Sequence, residues 1–165
     1  MSIEIKRIDG TVAYESQSAT SLKEAAEEAV RQGVSLARAH FPLAHFSGAN
    51  FSGANFYKAD FYKANFSLAN FSGADFSRAN FYGANFSGAE GILHVGPVDG
   101  WDMYAVRWDD GPRIKAGCRW FTVSEAREWW GKGGAPGNKP EHGPLMLAGL
   151  DALLAMAKAH GWEMP

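Results

Sequence analysis

The sequence contains a single cysteine, has no long apolar run and carries no excess of charge of either sign. Cys118 has no partner for an internal disulfide, so we expect a reducing, cytoplasmic location. No stretch approaches 18 consecutive apolar residues, and residues 1–10 lack the apolar core of a signal peptide, so we expect no membrane segment. The balance of 16 Lys and Arg against 18 Asp and Glu, without charged blocks, argues against a nucleic-acid or membrane partner.

Phenylalanine is abundant but narrowly placed, because it recurs at every fifth residue in the middle of the chain. The ten members of this series are Phe41, Phe46, Phe51, Phe56, Phe61, Phe66, Phe71, Phe76, Phe81 and Phe86. An Ala stands two positions before each of them, and in eight of the ten cases Asn or Asp lies between the Ala and the Phe. Such an internal repeat determines the fold of the segment that contains it.

A period of five matches neither a helix, at about 3.6 residues per turn, nor a strand, with its period of 2. The segment Val34–Glu90 resembles the pentapeptide-repeat family, whose pattern is A-(N/D)-(L/F)-x-x. The resemblance implies a mainly β fold, a right-handed quadrilateral β-helix with four pentapeptides in each coil. Phe and Ala would point inward, and residues 20 apart would stack. Small α+β segments are expected to flank the β-helix and to cap it.

The residues before the repeats, 1–33, predict an N-terminal ββα cap. Ile3–Ile8 reads as a strand, Asp9-Gly10 as a tight turn and Thr11–Tyr14 as the return strand. Ser21 and Glu24 form a capping-box pattern that opens a helix with apolar positions at helical spacing, ending near Gly33. Because the end of a β-helix exposes a Phe layer and free backbone groups, we expect this piece to cover it.

The residues after the repeats, 91–165, predict an α+β domain that contains all six Trp. We expect strands over Met103–Trp108 and Arg113–Phe121, the second placing Ile114, Ala116, Cys118 and Trp120 on one face. A capping box from Thr122 to Glu125 predicts a helix to about Trp130, and Pro144 begins another. The pieces GILHVGP and IKAGC resemble the tail of many phage and prophage pentapeptide-repeat proteins.

Several residues carry reactive chemistry, but none forms a catalytic constellation. Arg119 beside Cys118 could lower the pKa of the thiol, yet no motif supplies a His partner. His40 and His45 replace the usual Asn, and a register of 20 would place them opposite Asp60 and Asn65, too few ligands for a metal site. The Gly-rich loop 131–139 lacks the final Gly-Lys-Ser/Thr of a phosphate loop. We therefore expect no enzyme, no cofactor and no metal.

The outward positions of the repeat suggest a binding surface. In the 20-residue register, Arg38, Lys58 and Arg78 form a basic column, and Tyr62 and Tyr82 stack beside Lys63. A basic column next to aromatic side chains favours an anionic partner. A second candidate surface lies in the C-terminal domain, where Trp side chains alternate with Arg107, Arg119 and Arg127. The alternative for both surfaces is a structural role, as a solvated face or as core.

These observations favour a non-enzymatic, intracellular, phage-derived binding or scaffold protein with a protein partner. One alternative is a counter-defence protein that sequesters a small anionic nucleotide. Another is a DNA mimic that binds gyrase, which some longer pentapeptide-repeat proteins do. The repeats here, with four basic and three acidic residues between 34 and 90, are short and not acidic, which argues against mimicry. The identity of the partner and any homo-oligomer are left open.

Overall fold

The computed structural model describes residues 2–76, 78–98, 101–107, 111–116, 119–134 and 140–163, and it divides into two units, Met1–Gly91 and Ile92–Pro165. No helix in these described ranges combines the length and the apolarity needed to cross a bilayer. Each unit is described by itself below.

The first unit begins with the predicted hairpin. Strand β1 (Ile3–Lys6) pairs antiparallel with β2 (Val12–Ser16), and the turn between them contains Gly10 at φ 84°. Helix α1 (Leu22–Arg31) starts where the Ser21 hydroxyl accepts from the Glu24 N–H. Only half of the predicted capping box forms, since the Glu24 carboxylate accepts from the backbone N–H of Thr20 at 2.7 Å. The predicted ββα order is therefore correct.

Residues 34–90 are organised by parallel bridges between positions 20 apart. The bridged pairs run from His40↔Asp60 and His45↔Asn65 to Asn70↔Glu90. From Phe41 to Phe71, each Phe N–H donates to a carbonyl 19 residues later, as from Phe41 to Asp60 at 2.8 Å. Four repeats therefore separate one level from the next, as the sequence predicted. The contacts are single bridges rather than continuous strands; they are consistent with a β-helix, whose right-handed quadrilateral form stays a prediction.

The core of this unit is a ladder of Phe rings. The eight rings from Phe41 to Phe76 are exposed by 1% or less. Rings 20 residues apart stack, as between Phe41 and Phe61 at 5.4 Å and 12°, while consecutive rings meet edge to face, as between Phe61 and Phe66 at 5.0 Å. Both arrangements are favourable for aromatic pairs. The predicted inward placement of Phe is confirmed by this ladder.

The N-terminal piece supplies the first level of repeats with contacts that the inner levels obtain from one another. His40 donates its backbone N–H to Lys6 O at 2.8 Å, and Asn50 donates its N–H to the Glu27 carboxylate at 2.8 Å. The Lys23 ammonium donates to Ser47 O at 2.8 Å. On α1, the side chains of Ala25, Ala26 and Ala29 are completely buried. Small side chains there allow close packing of the helix backbone.

A carboxylate that joins β2 to α1 makes the stability of this unit pH-dependent. Glu28 accepts a short hydrogen bond from the Ser16 hydroxyl and a second from Ser18 at 3.3 Å. The Ser16 bond, together with bonds from Tyr14 and Ser18, holds the pKa of Glu28 below its ordinary value of 4.5. A depressed folded-state pKa stabilises the protein above the unfolded pKa, and this contribution is lost as the pH falls through the folded pKa.

We therefore expect the free energy of unfolding of Glu28→Gln to fall less at acidic pH than that of the native protein. Urea midpoints of the first unit should fall less between about pH 5 and pH 3 in the variant than in the native protein, because one linked carboxylate is gone. The control is Glu4→Gln, which removes an exposed carboxylate from β1 of the same unit. If the urea midpoints of the native protein and of Glu28→Gln fall equally as the pH is lowered, Glu28 is not the source of the pH dependence.

Within its described residues, the second unit contains a four-stranded antiparallel sheet and two α-helices. Its strands follow the chain in the order β3 (Ile92–Val98), β4 (Trp101–Val106), β5 (Arg113–Ala116) and β6 (Arg119–Thr122). Helix α2 (Val123–Gly131) begins at the predicted capping box of Thr122 and Glu125, and α3 (Gly143–Ala159) follows a short 3-10 turn, Pro140–His142. The core between sheet and helices includes Met103, Ile114 and Leu150.

One sequence prediction for this unit is wrong. The segment Arg113–Phe121 is not one strand, because the chain reverses between Ala116 and Arg119 and pairs with itself. The predicted face is therefore split: Ile114 and Ala116 enter the core together with Phe121, while Trp120 does not belong to this core cluster. A period-2 pattern that continues across a tight reversal cannot be told from one long strand. Cys118 lies outside the described residues.

Candidate binding surfaces

Every repeat bends at the same kind of turn. The Ala N–H donates to the carbonyl of the residue three positions before it, which is Leu36 for Ala39 and Phe in the later repeats, as from Ala64 to Phe61 at 3.0 Å. The residue just before each Ala has a positive φ, which is the signature of a type II turn and favours glycine. Glycine fills this position at 48, 53, 73, 83 and 88. Six repeats place another residue there, namely Arg38, Leu43, Lys58, Lys63, Leu68 and Arg78.

The predicted basic column occupies three of these turn positions. Arg38, Lys58 and Arg78 are all exposed, and they precede the bridged residues 40, 60 and 80 by two positions each. Arg38 forms an ion pair with Asp9 of the N-terminal hairpin at 3.4 Å. The Lys58 ammonium lies 5.1 Å from the centre of the Tyr57 ring. Lys58 and Arg78 are therefore the better candidates for contact with a partner, since Arg38 already has an acidic neighbour.

The predicted aromatic pair is formed. Tyr62 and Tyr82 stack with ring centres 5.8 Å apart and planes 5° from parallel, and they are exposed by 36% and 66%. The Lys63 ammonium lies 5.1 Å from the Tyr62 ring centre. A Cβ built on Gly83 would come within 3.0 Å of the Lys63 side chain, so the Lys63 stem lies directly against that glycine. The structure thus brings all three residues into one exposed cluster.

Sequence reasoning missed two exposed leucines on the same turns. Leu43 is exposed by 62% and Leu68 by 70%, and both stand at the glycine position with positive φ. Leu43 precedes Lys63 by 20 residues, which places it on the same ladder. A Cβ on Gly88 would approach Leu68 to 2.8 Å, so Leu68 folds over the next level. The sequence does contain a signal for them, because Leu stands at a turn position that glycine fills in five other repeats.

The two His residues lie where the register predicted, opposite Asp60 and Asn65. His40 Nδ1 is 3.2 Å from Asp60 Oδ2, and Asp60 also accepts from the Asn80 amide at 2.8 Å. Elsewhere the side-chain oxygen at this position accepts from the N–H two residues on, as in Asn50 and Ser52. Residue 42, two positions after His40, is Pro and has no N–H. This bond could therefore not form at position 40 whatever residue stood there. No group of three metal-ligating side chains occurs within the described ranges.

The tryptophans of the second unit divide between core and surface. Trp130 and Trp162 belong to the core, with 2% and 7% exposure. Trp129 is exposed by 36% and carries the Arg119 guanidinium 4.4 Å above its ring. Trp120 and Trp129 together line a cleft beside α2. Arg127 pairs with Asp151 at 2.7 Å, Arg107 is exposed, and the side chains of Trp101 and Trp108 and the loop residues 135–139 lie outside the description.

The five-residue repeat matches a known family. The sequence model of pentapeptide repeats finds eight copies in this chain, over residues 32–67 and 59–90. Residues 32–90 belong to the pentapeptide repeat family. None of the curated proteins compared with the chain matches it. The pentapeptide repeats account for the Phe ladder and the turns, and the match ends at residue 90, before the second unit begins.

Proposed function

We propose that this protein is a non-enzymatic binding or scaffold protein, and that its pentapeptide repeats form a right-handed quadrilateral β-helix with a partner-binding surface. The surface consists of Arg38, Lys58, Arg78, Tyr62, Lys63 and Tyr82, with Leu43 and Leu68 on turns of the same kind. A phage-derived origin, suggested by the tail, and an intracellular protein partner are part of the same proposal.

The observation that carries the proposal is the choice of residues at the left-handed turns. An L-residue with a side chain costs about 1–2 kcal/mol in this conformation. Glycine would avoid that cost, losing only about 0.5–1 kcal/mol in chain entropy. Five repeats use glycine, whereas the other six use Arg, Lys or Leu. Stability alone does not explain these six side chains, and residues held in strained conformations cluster at functional sites.

The chemistry of the surface indicates the kind of partner. Lys58, Lys63 and Arg78 supply positive charge, and the Tyr62–Tyr82 stack supplies a flat aromatic area. Arg and Tyr are enriched among the residues that dominate binding energies. Leu43, which lies on the same ladder as Lys63, adds exposed apolar surface. We therefore infer a protein partner whose contact surface is acidic and includes an apolar area.

The direct test reverses the charge of Lys58 and Arg78. Among the ion pairs of the described residues, only Arg38 of the basic column has an acidic partner. A partner captured from cell lysate would be measured against the native protein and against Lys58→Glu with Arg78→Glu, at two salt concentrations. We expect weaker binding, mainly through slower association, and a smaller salt dependence. The melting temperature should stay within a few degrees, because both side chains are exposed. Equal affinity at both salt concentrations would contradict the proposed surface.

Replacement of the turn cations by glycine should separate stability from binding. We expect Lys58→Gly and Arg78→Gly each to raise the free energy of unfolding by about 0.5–1 kcal/mol, because left-handed strain is relieved. Each glycine variant should nevertheless bind the partner more weakly. The reverse change, Gly53→Lys, should destabilise by a similar amount, since a Cβ at Gly53 meets no atom within 4 Å and only the φ of 68° is unfavourable. Lower stability of both glycine variants in urea would show that the side chains serve structure.

The two alternatives make different predictions. A gyrase-binding DNA mimic predicts inhibition in a supercoiling assay, and the three cations Lys58, Lys63 and Arg78 on the repeats argue against an acidic, DNA-like surface. Sequestration of a small anionic nucleotide predicts a thermal shift with a nucleotide panel. A cleft beside α2 in the second unit, lined in part by Trp129, surrounds a small ligand better than the repeat faces would.

A further inference from the structure

One side of the repeats consists of three segments that lie one above another. These are residues 39–41, 59–61 and 79–81, because parallel bridges join His40 to Asp60 and Asp60 to Asn80. In each segment the first and third residues are buried, while the middle one reaches the surface. We call this side the column face. The turn before each segment carries a member of the basic column, and the turns after the second and third segments carry Tyr62 and Tyr82.

The middle row of the column face lies flat. The Asp60 carboxylate is 3.2 Å from His40 Nδ1 and accepts from the Asn80 amide at 2.8 Å. It also accepts from the backbone N–H of Tyr62 at 3.1 Å, and the Asp60 side chain is only 20% exposed. Because these side chains bond along the row, they do not project from it. A partner can therefore approach the face closely between its two borders.

The two borders of the column face differ in chemistry. One border is the basic column, whose three cations outnumber the two carboxylates that contact the face, Asp9 and Asp60. The other border is the stacked pair of Tyr62 and Tyr82, which presents aromatic surface. A complementary partner therefore needs acidic groups along one line and apolar groups along a second line parallel to the first.

The spacing along the column face matches that of an α-helix. The ring centres of Tyr62 and Tyr82 are 5.8 Å apart, and beneath them the Phe61 ring lies 5.4 and 5.5 Å from the rings of the adjacent levels. One turn of an α-helix advances about 5.4 Å, so residues three or four apart recur at nearly this distance. Residues on one face of an extended strand recur at about 6.4–6.8 Å, and that mismatch grows with each level.

The width of the column face also suits a helix. Lys58 and Tyr62 stand on opposite borders and are four positions apart, which limits their separation to about 13–14 Å at full extension. An α-helix with its side chains is about 10–12 Å across. A helix that lies along the face therefore reaches both borders. Consecutive residues are about 100° apart around a helix, so neighbours in sequence can face opposite borders.

We propose that the column face binds an acidic amphipathic α-helix of the protein partner, with the helix axis along the ladders of residues 20 apart. Acidic residues at i, i+4 and i+7 of that helix face Lys58 and Arg78. Apolar residues at i+1, i+5 and i+8 pack on Tyr62 and Tyr82. The inference rests on the proposed function and names the structural element of the partner that makes the contact.

Nuclear magnetic resonance titration of the full-length protein tests the proposal with three synthetic peptides of about 20 residues. The first peptide is helical and carries Glu at i, i+4 and i+7 and Leu at i+1, i+5 and i+8. The second has the same composition, but its Leu residues lie on the side opposite the Glu residues. The third contains a central Pro that breaks the helix. We expect the first peptide to bind one-to-one, and the other two to bind about tenfold more weakly or worse.

Two double variants should each weaken the first peptide about tenfold. Lys58→Gly with Arg78→Gly removes the cations, and Tyr62→Ser with Tyr82→Ser removes the rings. Both introduce the residue that other repeats have at the same turn positions, so the turns are preserved. The ring signals of the two tyrosines, assigned by their loss in the serine variant, should shift when the peptide is added to the native protein.

The control variant changes the matching turn positions of another side of the repeats. Ser52→Ala with Ser72→Ala alters the residues that correspond to Tyr62 and Tyr82 two repeats earlier. It should bind the first peptide as the native protein does. Circular dichroism of the mixture should show that the peptide is helical when bound, and thermal melts show whether each variant is folded.

The proposal is overturned if the first peptide does not bind at millimolar concentration, or if all three peptides bind equally. Stronger binding of the Pro-containing peptide would assign the face to an extended acidic segment and would also overturn it. If a captured partner loses affinity in Lys58→Glu with Arg78→Glu while the helical peptide does not bind, the surface of the proposed function stands and only the helix is wrong. If neither depends on these cations, both proposals fail.

Discussion

Replacement of Phe61 by Ala should lower the free energy of unfolding of the first unit by about 3–5 kcal/mol. The ring is fully buried, and it stacks between Phe41 at 5.4 Å and Phe81 at 5.5 Å. Consecutive rings on either side, Phe56 and Phe66, lie at 5.0 Å. Truncation would leave a cavity that rigid repeats above and below cannot close, because their backbones are hydrogen-bonded to each other.

The measurement must report on the repeats alone. All six Trp lie between residues 101 and 162, so Trp fluorescence follows the second unit. Hydrogen exchange of peptides from residues 34–90 in increasing urea would follow the first unit. Leu43→Ala is the matched control, since it also removes a large apolar side chain but from a position exposed by 62%. If Phe61→Ala and Leu43→Ala give the same midpoint, the Phe ladder is not the source of stability.

Deletion of residues 1–32 should cause the remaining chain to aggregate. The deletion removes Lys6 O and the Glu27 carboxylate, which accept from the backbone N–H groups of His40 and Asn50. It also removes α1, whose Lys23 ammonium donates to Ser47 O in the repeats. An exposed apolar layer with a row of free backbone groups is a template for association with another chain. Light scattering of the purified truncation would measure the expected self-association.

A point variant tests the same contact within the whole chain. Ala26→Asp places a charge on the buried face of α1 and should destabilise the first unit strongly, because an unpaired buried carboxylate loses its hydration. Ala155→Asp puts the same residue on an exposed position of α3 and controls for helix propensity. A truncated protein that stays monomeric and unfolds cooperatively, or an Ala26→Asp variant as stable as its control, would show that the N-terminal piece is dispensable.

The sequence predictions are accurate for features set by residues that are close together in the sequence, and less accurate for features that depend on distant residues. The five-residue period, together with the four-repeat coil that the family resemblance implies, predicted Phe burial, the register of His40 on Asp60 and the Tyr62–Tyr82 stack. Capping boxes are similarly local, and the one at Thr122 and Glu125 is complete. The box at Ser21 is only half formed, because the Glu24 carboxylate bonds to the N–H of Thr20 instead.

The failures occur where a local pattern permits two arrangements. The alternation from Arg113 to Phe121 fits one strand or a hairpin equally well, and only pairing of Lys115 with Trp120 across the sheet selects the hairpin. Helical spacing also does not decide burial, since Leu22 on α1 and Leu145 on α3 are exposed by 36% and 54%. Their neighbours in space, rather than their position on the helix, decide burial.

By itself the sequence determined the repeat, and the family resemblance that the repeat carries added the register and the residues that it brings together, because each copy repeats the same backbone geometry. The tertiary structure alone decided which exposed residues are already engaged. Arg38 is paired with Asp9, and Arg127 is paired with Asp151. These outcomes depend on side chains that come together from separate elements, and no periodicity relates those elements to one another.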